Sequence, residues 1–514
     1  MIASRGRSTA PAASETVPMQ PTGGSYAGTG QVRVHPAATP VEVGRLEAFL
    51  SRAIAEAGQR GEPLLASWVS AIPAQDPLVL LTRSATPGGV RLFWSELLHA
   101  EGLGGARLTL VGAGTVQTLR GEGAGAFHTT RKGWRRLSER AVTEGPAVPG
   151  TGPLFLGGFA FDPPDEEPWH GFPGGLLILP EALVTSRGDE GWLTLNAWVE
   201  PGDDPQEIAR RLARKALHLL VAPRAVPPGA SGAPHATTGA LAVHEPAPEP
   251  WMRAVASAAE AVRRGRVRKV VLAQAVRVHR PGGFDPARVL AALAAANPRA
   301  IHFALDLGGA TFLGASPELL ARVRDGWVES MALAGSAPRG ETPAEDDRLG
   351  RGLLESVKER EEHQAVVDAL REGLSPLTEI LEVSPEPRLL RLPTVQHLHT
   401  PLRGRLAPGT GLLDVVEKLH PTPAVGGSPR EEALRLVRAL EGWNRGWYAG
   451  PIGWVDPAGN GAFAVAIRSG LLREDGADLF AGCGIVGGSR PEAEVREWRL
   501  KLRPFLTALE EAAQ

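Results

Sequence analysis

The sequence contains a single cysteine, Cys483, among its 514 residues. One thiol can form neither an intrachain disulfide nor a thiolate metal site, so we expect the reducing cytoplasm rather than secretion. An excess of charge of one sign is also absent, because 55 Lys and Arg residues stand against 57 Asp and Glu residues. This balance argues against a broadly basic nucleic-acid-binding protein and against a membrane-surface protein.

The chain has no long apolar segment. No run reaches the roughly 18 uninterrupted apolar residues that a membrane span needs, and the longest candidate, around 289–307, is broken by Asn, Pro and Arg at 297–299. The N-terminal residues include Arg5 and Arg7 but no apolar core, so we expect no signal peptide there.

Glycine (62 residues) and proline (45 residues) are plentiful, and their distribution divides the chain. We predict a disordered N-terminal tail over 1–38 and a β-rich N-terminal half of the fold over 39–220. A Pro/Ala/Gly-rich connection is predicted over 221–249, followed by a second region over 250–514.

Hydrophobic periodicity predicts the secondary structure. The predicted helices are 41–58, 205–220, 250–264, 285–296 and 345–373. Apolar runs of strand length in the first half are LLASWVSAI, LVLLTR, VRLFWSELL, ARLTLVGAG, LFLGGFAF, GLLILPEALVT and WLTLNAWV. Strands in the second half are predicted at 268–278, 301–307, 311–322 and 461–472. Runs of strands with flanking helices favour an α+β fold with largely antiparallel sheets.

Two predicted helices each begin an apolar stripe with a pair of glutamates. These pairs are Glu359 with Glu362, and Glu494 with Glu497. Carboxylates on a core-facing stripe repel each other and lose hydration unless a cation or a proton compensates. The alternative is that both stripes reach solvent at a helix N-terminus, where the helix dipole favours acids. Four carboxylates without Cys or His at ligand spacing suit a hard cation such as Mg²⁺.

A glycine-rich segment, FAGCGIVGGSRPEAE, precedes the second glutamate pair. Ser489 and Glu492 predict a capping box at the start of the helix. Gly482 and Gly484 would let the backbone approach an anion and expose N–H groups to it. A simple tight turn from strand to helix is the alternative.

Three further charged residues have an unusual setting. Arg468 shares one side of the predicted strand 461–472 with small residues, which leaves room for a planar anion; otherwise it is an exposed strand arginine. Lys269 enters an apolar strand, where burial can make a lysine a general base, although such lysines often only extend to solvent. Glu318 follows a Gly-Ala-Ser-Pro turn and is either a general acid or a surface turn residue.

Seven motifs stand in the order and form found in the chorismate-utilising enzymes, which the chain resembles over roughly 250–505. The motifs are LGASPELL (313–320), MALAGSAPRG (331–340), KEREEH (358–363), LHPTPAVGGSP (419–429), RGWYAGPIGW (445–454), AIRSGLL (466–472) and FAGCGIVGGSRPEAEVREWRLKL (480–502). The resemblance implies an α+β fold in which antiparallel sheets, packed as a sandwich, are wrapped by helices. It makes 250–514 the chorismate-binding catalytic region, with a Mg²⁺-dependent site.

Two positions distinguish the branches of this family. Lys269 stands where the ammonia-using synthases have Gln, and Ala334 stands where aminodeoxychorismate synthases tend to have a nucleophilic Lys. The resemblance therefore implies an isochorismate synthase, which adds water at C2 of chorismate with loss of the C4 hydroxyl, in menaquinone, siderophore or salicylate biosynthesis. The alternatives are a salicylate synthase, an anthranilate synthase component I and a catalytically silent binding protein.

The resemblance also implies a role for each site residue. Lys269 would be the general base and Glu318 the general acid. Glu362 and Glu497 would bind Mg²⁺ directly, supported by the other two glutamates. The expected substrate-binding residues are Gly335, Ser336, His397, Arg468, Gly482, Gly484 and Lys501. Chorismate is the expected partner, with no nucleic acid, membrane or obligatory protein partner. Cys483 replaces a common Ala, so we expect a small buried residue and not a nucleophile.

Overall fold

The computed structural model describes residues 41–85, 88–98, 105–162, 169, 171–221, 241–391 and 395–514. The predicted tail and most of the predicted connection over 221–249 lie outside the described residues. None of the helices in these ranges is long and apolar enough to cross a membrane.

Three α-helices of the described residues start at the same type of cap. Asp76, Asp204 and Asp285 each accept a hydrogen bond from the backbone N–H two residues on, and a proline follows each of them at the first helical position. The helices are α1 Val43–Arg60, α2 Pro77–Arg83, α3 Ala126–Ser138, α4 Pro205–Leu220, α5 Pro248–Arg263, α6 Pro286–Ala296, α7 Pro343–Glu355, α8 Val357–Leu374, α9 Leu412–Leu419, α10 Arg430–Glu441 and α11 Pro491–Ala513.

The strands of the described residues form two large sheets. Their bounds are β1 Leu64–Pro73, β2 Arg91–Leu97, β3 Arg107–Ala113, β4 Gln117–Gly121, β5 Ala141–Glu144, β6 Phe155–Phe159, β7 Gly175–Leu179, β8 Ala182–Arg187, β9 Glu190–Val199, β10 Ala242–His244, β11 Lys269–His279, β12 Ile301–Asp306, β13 Thr311–Ser316, β14 Leu319–Arg324, β15 Trp327–Pro338, β16 Thr378–Val383, β17 Arg388–Arg391, β18 Val395–Leu406, β19 Gly427–Ser428, β20 Pro451–Val455, β21 Gly461–Val465, β22 Ser469–Arg473 and β23 Gly476–Ile485.

Each sheet combines strands from both halves of the chain. The first has the order β10-β11-β23-β22-β13-β12-β2-β3-β8-β9-β1-β5, with β19 paired to β11. The second has the order β16-β18-β15-β14-β21-β20-β6-β7-β4, with β17 paired to β18. The halves meet where β12 pairs with β2 and where β20 pairs with β6, both antiparallel. The antiparallel α+β prediction is confirmed, with β1 and β5 as a parallel pair.

The two sheets pack against each other through apolar side chains and one buried acid. Glu96 of β2, which is 1% exposed, accepts hydrogen bonds from Trp454 of β20 and Arg322 of β14. These bonds link the first sheet to the second and satisfy a carboxylate that would otherwise be costly to bury. The helices cover the outer faces, and α8 packs on β15 while α11 packs on β23.

Several predicted elements are wrong in type or extent. The predicted strand 311–322 is two strands, β13 of the first sheet and β14 of the second. The run LVLLTR forms helix α2 and not a strand, because Asp76 caps its N-terminus. The predicted helix 345–373 is interrupted at Ser356, where the backbone is extended (φ −66°, ψ 112°) and ends α7. The hydroxyl of Ser356 accepts a hydrogen bond from the backbone N–H of Glu359 and so starts α8 in a new direction.

The predicted strand 461–472 and the predicted capping box are also wrong. Strand β21 ends at Val465 and β22 begins at Ser469, and Arg468 between them has a positive φ of 54°. The hydroxyl of Ser489 bonds to the N–H of Val486 in the turn and caps no helix, because α11 begins only at Pro491. Arg468 therefore lies between two strands and does not share one side of a strand with small residues, as the alternation predicted.

Candidate active site

A cavity of about 210 Å³ lies between α8, α11 and the strands beside them, and every predicted site residue lies on its wall. Helix α8 contributes one glutamate pair and α11 the other, while β11, β15, β18 and β23 contribute the remaining strand residues. The wall residues from the sequence analysis are Lys269, Glu318, Gly335, Ser336, Glu359, Glu362, His397, Arg468, Gly482, Gly484, Glu494, Glu497 and Lys501. The structure brings the set together, and the individual roles stay predictions.

Lys269 is the first residue of β11, and its side chain is only 10% exposed. Its Nζ donates a hydrogen bond of 2.6 Å to Oε1 of Glu362 on α8. The residue does not extend to solvent, so the alternative of a surface lysine is ruled out. The contact joins the predicted base to one of the predicted metal ligands.

The position of Lys269 depends on a glycine of the neighbouring strand. Gly484 of β23 pairs with Val271 of β11, and a Cβ at Gly484 would lie 2.6 Å from Cε of Lys269. Real Cβ atoms do not approach a neighbour that closely, so a side chain at this position would displace the lysine. Gly482 and Gly484 lie within β23. The prediction that they bind an anion in a loop at the helix N-terminus is therefore wrong about their location.

Glu318 lies in the two-residue link between β13 of the first sheet and β14 of the second. It is 5% exposed, which excludes the surface-turn alternative. Burial raises the pKa of its carboxyl to about 7, although the nearby charge of Lys269 opposes the shift. A carboxyl with a pKa near 7 can be protonated at neutral pH and can act as a general acid.

Gly335, Ser336 and His397 form one hydrogen-bonded group at a bulge between β15 and β18. Nδ1 of His397 lies 2.8 Å from Oγ of Ser336 and 3.2 Å from the carbonyl oxygen of Gly335. Burial, together with the charge of Arg468, lowers the pKa of His397 to about 4, so its ring is neutral at pH 7. Gly335 has a φ of 74°, and the N–H of Ser336 donates to Oε2 of Glu359.

Arg468 and Lys501 form a cationic part of the wall. Nη1 of Arg468 donates to the carbonyl oxygen of Lys501, and Nζ of Lys501 donates to the carbonyl oxygen of Gly482 at 2.9 Å. Lys501 also donates to Oε1 of Glu497 at 2.6 Å. Burial is the largest single influence on the pKa of Glu497 and would raise it, but the charge and hydrogen bond of Lys501, together with the charges of Lys269 and Arg468, outweigh burial, so the pKa is lowered.

The glutamates of α11 have the features of a cation-binding site. Glu494 is 8% exposed, and its Oε2 has no hydrogen-bond partner among the described residues. Ligand atoms of Cys483, Glu494 and Glu497 lie within 4.8 Å of one another. Burial, and secondarily the charge of Glu497, raises the pKa of Glu494. A buried carboxylate oxygen without a partner, next to a second carboxylate, fits a hard cation such as Mg²⁺.

Cys483 is the soft member of this group and is a poor ligand for a hard cation. Burial raises the pKa of its thiol far above the usual range, and the thiol donates a hydrogen bond to the carbonyl oxygen of Glu494 at 3.6 Å. The prediction of a small buried residue is consistent with this setting.

A buried ion pair that the sequence did not indicate lies behind the cavity. Arg445, which lies on the cavity wall, and Glu441 have side chains that are each 1% exposed, and they bond to each other. Arg445 also donates to the carbonyl oxygens of Val271 and Val425, and Glu441 accepts from the N–H of Ala273. The pair therefore fixes β11, which carries the predicted base. The motif RGWYAG contained Arg445, but nothing in its spacing indicated burial.

Comparisons with known proteins agree with this site. The family described as chorismate binding enzyme matches residues 52–510. The salicylate biosynthesis isochorismate synthase of Pseudomonas aeruginosa is 39% identical over 466 residues, which cover 90% of this chain and 94% of the relative. The isochorismate synthase MenF of Bacillus subtilis is 35% identical, covering 89% and 96% respectively.

Solved structures show the same fold. The menaquinone-specific isochorismate synthase MenF of Escherichia coli has a TM-score of 0.71 at 27% identity, covering 90% of this chain and 99% of that structure. Anthranilate synthase component I of Streptococcus pneumoniae, at 23% identity and a TM-score of 0.61, shares the fold over 78% of this chain and 92% of its own. With matches of this extent, the chain belongs to the chorismate-binding enzyme family.

Proposed function

We propose that this protein is a Mg²⁺-dependent isochorismate synthase, an isomerase that converts chorismate to isochorismate. The observation that carries the proposal is that acid–base residues and potential metal ligands line the same cavity. A buried lysine and a buried carboxyl with a pKa of about 7 share its wall with two pairs of glutamates. The names of the relatives from P. aeruginosa and B. subtilis support the same activity.

In the proposed reaction, basic and polar groups hold the two carboxylates of chorismate. Arg468 and Lys501 are the cations placed to bind one of them, since a guanidinium can bind a carboxylate through two N–H groups. Ser336 on β15 and the neutral ring of His397 on β18 contribute further hydrogen-bonding groups. Together these residues orient the ring before reaction.

The isomerisation needs a base and an acid on the same cavity. Lys269 would take a proton from a water molecule as the oxygen forms a bond to C2. The ring double bonds shift, the C4–O bond breaks, and Glu318 gives its proton to the departing hydroxyl, which leaves as water. One water enters and one leaves, so the product has the same composition as the substrate.

Mg²⁺ would be held by Glu362 and Glu497, with Glu359 and Glu494 beside them, and would neutralise and orient a substrate carboxylate. In the structure Glu362 accepts a hydrogen bond from Lys269. The same carboxylate therefore contacts the predicted base and would hold the cation, so Glu362 lies between the metal site and Lys269.

Incubation of the purified protein with chorismate and Mg²⁺, followed by chromatography of the products, tests the proposal. We expect isochorismate to form and its formation to stop when Mg²⁺ is chelated. A parallel incubation with ammonium chloride should give no anthranilate, and anthranilate formation would contradict the proposal. Salicylate in the absence of a separate lyase would instead identify a salicylate synthase.

A further inference from the structure

A second cavity, of about 520 Å³, adjoins the active site between α6, α11, the end of β15 and the start of β18. We call it the apolar cavity, because side chains without charge form much of its wall. They include Leu293, Ala337, Pro338, Leu500, Pro504 and Phe505. Its volume lies within the range of roughly 300–1,000 Å³ that is usual for small-molecule sites.

The apolar cavity and the active-site cavity share part of one wall. The residues that line both are Pro317, Ser336, Arg468, Phe480, Glu497 and Lys501. A molecule in the apolar cavity therefore meets Arg468 and Lys501 from the side opposite to the active site. The steps proposed for isomerisation use the active-site cavity and leave the apolar cavity without a role.

Charged residues around the apolar cavity are mostly basic. Arg299, which follows α6, and Arg496, on α11, are exposed residues of its lining. Neither guanidinium has an ion pair or a hydrogen bond to any described residue, whereas Glu497, the acid of the lining, is bonded to Lys501. Two arginines without partners at the edge of an apolar cavity are complementary to an anionic group on an apolar body.

The size and charge of the cavity select one class of occupant. An aromatic ring would fill the space between Leu293, Leu500 and Phe505, and burial of apolar area at about 25 cal/mol per Å² would favour it. A carboxylate on that ring would remain at the edge, within reach of the guanidinium groups. A highly charged dicarboxylate would have no apolar body to bury there.

We propose that the apolar cavity binds an aromatic carboxylate, with its ring between α6 and α11 and its carboxylate on Arg299 and Arg496. The bound ring contacts Arg468 and Lys501 through the shared wall, so it weakens substrate binding on the other side. This second statement rests on the proposed function, because it assumes that the two cations hold chorismate. Binding of the aromatic carboxylate itself does not depend on the proposed function.

Calorimetric titration with 1-naphthoate tests binding without reference to catalysis. We expect one molecule to bind per chain, and we expect 1-naphthalenemethanol and acetate to bind at least tenfold more weakly. The alcohol retains the ring and acetate retains the charge, so the pair separates the two parts of the site. Equal binding of the alcohol, or no binding of 1-naphthoate at millimolar concentration, would overturn the proposal.

A leucine substitution locates the binding site. Leu500→Glu places a negative charge at the cavity on a side chain that is already 51% exposed, so the fold should persist. We expect the Kd for 1-naphthoate to rise at least tenfold, and the same is expected for Arg299→Ala. Leu217→Glu on α4, where the leucine is 47% exposed, is the matched control and should leave Kd unchanged. An unchanged Kd in Leu500→Glu would place the ligand elsewhere.

Steady-state kinetics with chorismate test the coupling. We expect 1-naphthoate to raise KM at least threefold without lowering kcat, and we expect Leu500→Glu to abolish this effect while retaining wild-type turnover. Binding of 1-naphthoate without any change in KM would refute the coupling. Binding by a protein that fails to convert chorismate would refute the proposed function and leave the ligand site standing.

Discussion

The glutamate pairs of α8 and α11 have the same spacing but different partners. On α8, Glu362 accepts from Lys269 and Glu359 accepts from the N–H of Ser336, so both carboxylates bond to strands across the cavity. On α11, Glu497 accepts from Lys501 of the same helix, and Oε2 of Glu494 has no partner among the described residues.

This difference separates two tasks. The α8 pair is bonded to Lys269 and to the N–H of Ser336, which would perform or support the reaction. A change in what these carboxylates bind therefore changes the surroundings of the predicted base. The α11 pair has an unsatisfied oxygen in a buried setting, which is the condition that a bound cation relieves. We therefore expect substitutions around α8 to change turnover and substitutions on α11 to change the metal requirement.

Lys269→Ala should have the largest effect on the difference between the two glutamate pairs, because it removes the hydrogen-bond partner of Glu362. We expect kcat to fall about 10⁴-fold while the Kd for chorismate changes less than threefold, since the lysine would act on water. Binding is measured by calorimetry and turnover by product chromatography. Lys358→Ala, a lysine with a 63% exposed side chain on the same cavity, is the control. A large loss of affinity in Lys269→Ala would make this lysine a carboxylate ligand instead.

Glu318→Gln should lower kcat by about 10²–10³-fold without changing the Mg²⁺ titration, because this carboxyl belongs to neither pair. In the wild type, kcat/KM should fall as the pH rises through about 7, where Glu318 loses its proton. If Glu318→Gln changed the Mg²⁺ concentration needed for activity, Glu318 would be a metal ligand. The metal site would then not be confined to the two glutamate pairs.

The same substitution should change stability with pH. The folded-state pKa of Glu318 is raised from 4.5 to about 7, so its stabilising contribution is present below pH 4.5 and is lost as the pH rises through 7. Glu318→Gln should therefore raise the unfolding free energy at pH 8, by up to ~3 kcal/mol, and give little gain at pH 4.5. Denaturant unfolding at both pH values measures this, and an equal effect at both would contradict the buried, protonated carboxyl.

Glu497→Gln tests the α11 side of the comparison. We expect the Mg²⁺ concentration for half-maximal activity to rise 10- to 100-fold, as for loss of a metal ligand or its support. Glu359→Gln should raise it less, because that carboxylate already bonds to the backbone of Ser336. Glu492→Gln, which changes an exposed glutamate in the first turn of the same helix, is the control. An unchanged titration in Glu497→Gln would remove this residue from the metal site.

Gly484→Ala should have the smallest of these effects. The new Cβ would meet Cε of Lys269 at 2.6 Å, so the lysine must move away from Glu362. We expect kcat to fall about tenfold with KM nearly unchanged, because the amine stays in the cavity in a less productive position. Gly488→Ala, where a Cβ would meet nothing within 4 Å, is the control and should match the wild type.

Much of the fold was predictable because the spacing of apolar residues in the sequence matches the positions that are buried in the structure. The predicted helix 205–220 coincides with α4, and the predicted strand 268–278 differs from β11 by one residue at each end. The helix α3 was missed because its sequence, AFHTTRKGWRRLS, is dominated by polar residues and buries only a narrow face. The strand β5 was missed because half of its residues are exposed at a sheet edge.

That the candidate residues would lie together on one cavity wall was predictable from the sequence, but the geometry of the cavity was not. The helical spacing placed Glu359 with Glu362 correctly, since a spacing of three residues fixes one face of a helix. The setting of Arg468 could not be predicted, because a positive φ in a residue other than glycine breaks the alternation of a strand. The ion pair of Glu441 and Arg445 could not be predicted either, because its burial depends on strands distant in sequence.

The joint between the two halves of each sheet has a consequence for synthesis on the ribosome. Strands β2 and β6 are almost wholly buried, yet their partners β12 and β20 are made more than a hundred residues later. Until then, each half-sheet emerges with an apolar edge whose N–H and C=O groups are unpaired, and such edges promote aggregation. Fragments that end before β12 are therefore expected to be insoluble, and the nascent chain is expected to depend on chaperones until both joints close.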